Sequence, residues 1–73
     1  MGKFDVQIAW LQDCIDFGRH TIEDLESGKV RQSTKRDGRW VDISQELIDE
    51  ARGMIARYTR LIEAYKARES ASE

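Results

Sequence analysis

A chain of 73 residues with a net charge of -2 has room for one domain and one small core. One cysteine, a single histidine and no proline exclude a disulfide framework and a paired Cys–His zinc staple, so well-packed helices or assembly with partners must supply stability. The acidic balance also excludes a general polyanion binder.

Charge is unevenly spread along the chain. Residues 1–28 carry -4, residues 29–43 carry +3, and residues 44–73 carry -1. The lone Cys14 fits a reducing compartment. Asp5, Gln7, Gln12 and Asp13 interrupt the apolar residues near the start, so no signal-peptide core is read there, and no run approaches membrane-spanning length. The expectation is a soluble cytosolic product.

Residues 4–26 read as the first helix. Phe4, Ile8, Leu11, Ile15, Ile22 and Leu25 recur at helical spacing, and Gly18 falls on the same stripe. A glycine there costs about 1 kcal/mol against alanine, which points either to another backbone passing close by or to a tolerated flaw. Trp10 and Phe17, seven residues apart with Val6 close by, lie well away from that stripe. They form a second apolar line for a partner, or for Trp10 to fold over the hairpin edge. Ser27 and Gly28 stop the helix, with Gly28 suited to a left-handed cap.

Residues 29–43 lose the helical period and read as a hairpin. Asp37-Gly38 is a two-residue turn signal, which pairs Arg36 with Arg39, Lys35 with Trp40, Thr34 with Val41 and Gln32 with Ile43. Period two then puts Val30, Gln32, Thr34, Val41 and Ile43 on an inner face apolar enough to sit on the helices. Arg31, Ser33, Lys35, Trp40 and Asp42 make the outer face. Trp40 either forms a cation–π pair with Lys35 or, flanked by Arg31, Arg36 and Arg39, anchors a docking face. Stacking on a nucleic-acid base is weaker, because base-stacking platforms usually offer more than one aromatic.

Residues 45–68 read as the second helix, with Ser44 as N-cap and acids at Glu46, Asp49 and Glu50 near its positive end. Leu47, Ala51, Met54, Tyr58, Leu61 and Tyr65 form its main stripe, widened by Ile48, Ile55 and Ile62. Residues 69–73 have nothing to bury and are expected to fray. The fold class is therefore α+β: two antiparallel helices with a two-stranded antiparallel hairpin between them, in one domain spanning 1–73.

Catalytic chemistry finds no convergent set. Cys14 and His20 are six apart on one helix, about 240° from each other around its axis, so they do not meet. Cys14 is assigned to packing and His20 to solvent. Asp13 with Asp16, and Glu23 with Glu26, read as a solvated face rather than a metal set. "SGK" at 27–29 lacks the upstream glycine and following helix of a phosphate loop. No catalytic residue, cofactor or metal is expected, and the chain reads as a non-enzyme.

The segment "DLESGKVRQSTKRDGRWVDIS" resembles the head–tail joining protein W family of tailed phages, the gpW fold. The similarity lies in a leucine shortly before a "GK" helix stop, a turn at "KRDGR", an alternating "VDI", then a polar cap and an amphipathic helix. It covers about residues 20–60. The resemblance implies a structural protein of a phage or prophage that assembles as a ring beneath the portal protein and offers a docking site to tail-completion proteins. It implies residence in the host bacterial cytoplasm and then at the virion head–tail junction. Lys29, Arg36 and Arg39 match basic positions of that family, whereas Trp40 departs from an expected polar or basic residue. The residues assigned to partners are Trp10, Phe17, Arg31, Lys35, Arg36, Arg39 and Trp40. Self-association into a ring on assembly is expected, from a chain that can be monomeric when isolated, with contact to DNA left open and no membrane role. The alternatives are a small DNA-binding regulator using the basic hairpin, and a heterodimer partner of a toxin–antitoxin or secretion type.

Overall fold

The computed structural model describes residues 2–72. Its element order is α1 (Asp5–Glu26), β1 (Ser33–Arg36), β2 (Arg39–Asp42) and α2 (Ser44–Ser72). Two antiparallel helices are joined through one antiparallel strand pair, as the periodicity predicts.

The core follows from the α1 stripe. Leu11, Ile15 and Leu25 are buried, and Ile8 packs beside them. They meet the isoleucines of α2: Ile48 and Ile62 are buried, and Ile55 is half-buried against the same cluster. Burying each such side chain contributes roughly 1.5–3 kcal/mol. This changes the expected order of the two α2 stripes in part. The isoleucine line leads the core, and Tyr58 and Tyr65 of the main stripe pack half-buried against it, whereas Leu47, Ala51 and Met54 stay half-buried and Leu61 is exposed. One helix can cover only one of two neighbouring lines, and α1 covers the isoleucines. What presses on Gly18 is likewise a pair of side chains, Met54 and Ile55, rather than a backbone.

The far end of α2 is ordered by contacts with the start of α1. The helix continues to Ser72, so residues 69–72 do not fray as expected, and Glu73 lies outside the described residues. Phe4 stands at the N-cap of α1 but has no capping side chain of its own. Its N–H donates instead to Glu69 Oε1 at 2.8 Å, and its ring lies 4.8 Å from that of Tyr65. A carboxylate from the last turns of α2 thus satisfies an orphan donor at the positive end of α1.

The hairpin has the expected register: Ser33 opposite Asp42, Thr34 opposite Val41, Lys35 opposite Trp40 and Arg36 opposite Arg39. Asp37 and Gly38 both adopt positive φ, 50° and 78°, as the tight two-residue turn requires. The expected packing is not found. Val30 and Val41 remain 39% and 36% exposed, so the inner face is no core layer. Only Thr34 and Ile43 are half-buried there. Strands of four residues are too short to cover the helices, and specific polar ties hold them.

Ser44 makes the chief tie. It is 3% exposed; its Oγ accepts from Gln32 N–H at 3.1 Å and donates to Gln32 O at 3.5 Å. It is therefore not the N-cap that its position suggested. Asp42 does that work, accepting the Ser44 N–H at 2.8 Å, while Ile43 O accepts the Leu47 N–H. The molecule is long, 57 × 24 × 15 Å, with a radius of gyration of 16.6 Å. A compact chain of this length has a radius near 11 Å.

Candidate functional site: two docking surfaces

The first surface comes from the uncovered α2 line and the second apolar line of α1. Phe17, 74% exposed, stands beside Leu47, Met54 and Tyr58 along one side of the helix pair. Val30 closes the end next to the hairpin, and Gly18 forms part of the floor. The result is an open groove of about 820 Å³. Its charged lining is mostly acidic, with Asp24, Asp49 and Glu50 against Arg57. Trp10, 59% exposed, continues the apolar line beyond the groove, its ring 6.0 Å from that of Tyr58. Trp10 thus leans on α2 and not on the hairpin edge.

The second surface is the outer face of the hairpin. Trp40 is 74% exposed there, directly across from Lys35. No cation–π contact joins them; the one seen among the described residues is Lys3 over Phe4. Arg31 shares this face and is committed to Asp42. Hydrogen bonding from Ser44, whose N–H donates to it, and then the contact with Arg31 pull the Asp42 carboxyl down to about 2.

Strand alternation separates the basic cluster expected around Trp40. Arg36 and Arg39 pair with each other in register and point to the opposite face from Lys35 and Trp40. Arg36 makes a two-pronged contact with Glu46, at 3.0 and 2.8 Å, that straps the hairpin to the first turn of α2. That contact raises the Arg36 pKa and lowers that of Glu46, by hydrogen bonding first and charge second. Two of the five hairpin cations are thus neutralised internally. Among the described residues, Lys29, Lys35 and Arg39 carry no ion pair.

The two surfaces look in opposite directions. Val30 and Gln32 line the large groove, whereas Arg31, Asp42 and Ser44 line a smaller depression of about 340 Å³ together with Gln45 and Ile48. Arg31 and Asp42 share strand parity with Lys35 and Trp40, so the Trp40 face belongs to the side away from the groove.

Candidate catalytic groups stay apart. Cys14 is half-buried next to the core; His20 is exposed, with Nδ1 4.0 Å from Glu23. No group of three or more His, Cys, Asp or Glu residues among the described residues is placed to hold a metal ion. No helix among them is long and apolar enough to cross a membrane. Sequence reading missed Leu47 and Met54 as half-buried groove residues and Leu61 as an exposed one. The available signal was the width of the α2 apolar band, two lines one residue apart against a single partner helix. No protein-family model, curated protein or solved structure matches this chain.

Proposed function

We propose that the chain is a non-enzymatic assembly adaptor of the head–tail joining protein W type, which rings up on a phage or prophage portal protein and receives tail-completion proteins. The observation that carries this reading is the pair of exposed aromatic surfaces, Phe17 with Trp10 on one side and Trp40 on the other. A 73-residue protein rarely leaves that much apolar surface open unless it is covered in an assembly. Helix–hairpin–helix order and the residue pattern from Asp24 to Ser44 support the same reading. Ring geometry multiplies contacts, so each one can be small and weak.

Co-expression with the portal and tail-completion proteins of a tailed phage or prophage from the source genome tests it. Co-purification in a large complex is expected. A folded chain captured by neither overturns the proposal.

The DNA-binding alternative rests on the hairpin cations Lys29, Lys35 and Arg39, which carry no ion pair among the described residues, with Lys35 on the face of Trp40. It predicts a retarded band in low salt, with affinity falling by about 0.9 log units per phosphate contact for each log unit of salt. Commitment of Arg31 and Arg36 to carboxylates weakens that alternative.

A further inference from the structure

The two surfaces complement one another. The groove is apolar at its centre, with Phe17, Met54 and Tyr58, and net acidic at its rim through Asp24, Asp49 and Glu50. The hairpin presents a single large aromatic, Trp40, with the unpaired cation Lys35 directly across from it on the same face. A groove of about 820 Å³ falls in the size range of small-molecule sites, about 300–1,000 Å³, so it has room for an indole ring.

Surface area points the same way. The chain exposes 5744 Å², where a compact monomer of its mass exposes about 4,700 Å². The excess is comparable to the roughly 800 Å² that each partner contributes to a standard stable interface.

We infer that the groove's occupant is the hairpin of a second copy of this chain, with Trp40 seated against Phe17 and Met54 and with Lys35 facing the acidic rim. The groove and the Trp40 face belong to opposite sides of one molecule, so the contact runs head to tail. Such a heterologous contact leaves one groove and one hairpin free on every pair. It propagates, into a closed ring where the rotation per copy allows and into an open row where it does not. A two-fold groove-to-groove dimer would instead bring acidic rims together and leave Trp40 uncovered. The use of this contact in a ring rests on the assembly reading above; the contact itself rests on the two surfaces.

The test uses Trp40→Ala, which removes the knob, and Phe17→Arg, which places a cation in the groove. Both positions are exposed, so both variants keep their helical circular dichroism. Sedimentation equilibrium up to about 1 mM in low salt is expected to show wild-type mass rising past twice that of one chain. Each variant alone stays at 8.5 kDa. An equimolar mixture recovers a 1:1 pair and no more, because Trp40→Ala still has a groove and Phe17→Arg still has a hairpin. Reversing both charges in one chain, with Lys35→Glu and Glu50→Lys, restores the association that either change alone weakens.

A monomeric wild type, a mixture that does not pair, or a Trp40→Ala variant that still dimerises each overturns the inference. Those results leave portal capture untouched. Conversely, head-to-tail pairing without portal capture keeps this contact and removes the assembly reading.

Discussion

Two glycines in helix interiors offer a measured comparison, because one faces side chains and the other nearly open space. Gly53→Ala places its methyl 3.6 Å from Arg57 Nη1, an ordinary contact. It should stabilise the fold by about 1 kcal/mol, the helix-propensity difference. At about 4–8 °C per kcal/mol for a chain of this size, the melting temperature rises by roughly that amount. Gly18→Ala gains the same propensity but sets its methyl 2.7 Å from Met54 Cε and 3.3 Å from Ile55 Cγ1. Carbon atoms prefer about 3.5–4.0 Å, so the Met54 tip must retreat by about 1 Å and Ile55 by less. Met54 ends in a flexible thioether beside an open groove, and its displacement costs roughly 0.5–1 kcal/mol. The net expectation for Gly18→Ala is roughly 0–0.5 kcal/mol of stabilisation, a rise of no more than about 4 °C. In a Met54→Ala background the full Gly18→Ala gain of about 1 kcal/mol should return, as the double-mutant cycle requires. Thermal unfolding followed by far-ultraviolet circular dichroism at micromolar protein measures all four variants. Equal rises at both glycines, or no recovery in the Met54→Ala background, refutes the packing argument.

Asp42 titrates near 2 against its usual 3.8, so its contribution is fully present above pH 3.8 and is lost as pH falls toward 2. In a Trp10→Phe background, Trp40 fluorescence should therefore report loosening of the hairpin in that acid window, and Asp42→Asn should loosen it already at neutral pH. Glu69→Ala removes the acceptor for the Phe4 N–H and should cost about 1 kcal/mol, the usual size of a lost cap, or about 4–8 °C. An unchanged melting temperature would mean that the last turns of α2 contribute nothing.

Local features of the fold were readable because each has a local cause. The hairpin register follows from one dipeptide that must take positive φ at both positions, and from the strict alternation of strands. The stripe from Ile8 to Leu25 follows from helical period alone. Long-range choices were not readable. Ile48 and Leu47 are equally good core candidates by period, and only the placement of α1 decides between them. Ser44 looks like a cap by position, yet Asp42, two residues earlier, takes that role and frees the serine hydroxyl for Gln32. Glu69 lies 65 residues from the backbone group that it satisfies, a separation that no periodicity spans. Arg36 and Arg39 read as one basic cluster with Lys35 and Trp40 until strand parity divides them between faces.

The elongated outline has a hydrodynamic consequence. At 57 Å along one axis and no more than 24 Å across the others, a single chain drags more solvent than a sphere of its mass. It diffuses slowly for its size and leaves a gel-filtration column early, at a position that a compact dimer would occupy. Copies joined end on would lengthen that profile further, whereas closure into a ring would shorten it relative to mass. Frictional ratio against copy number therefore distinguishes an open row from a closed one, even where their masses agree.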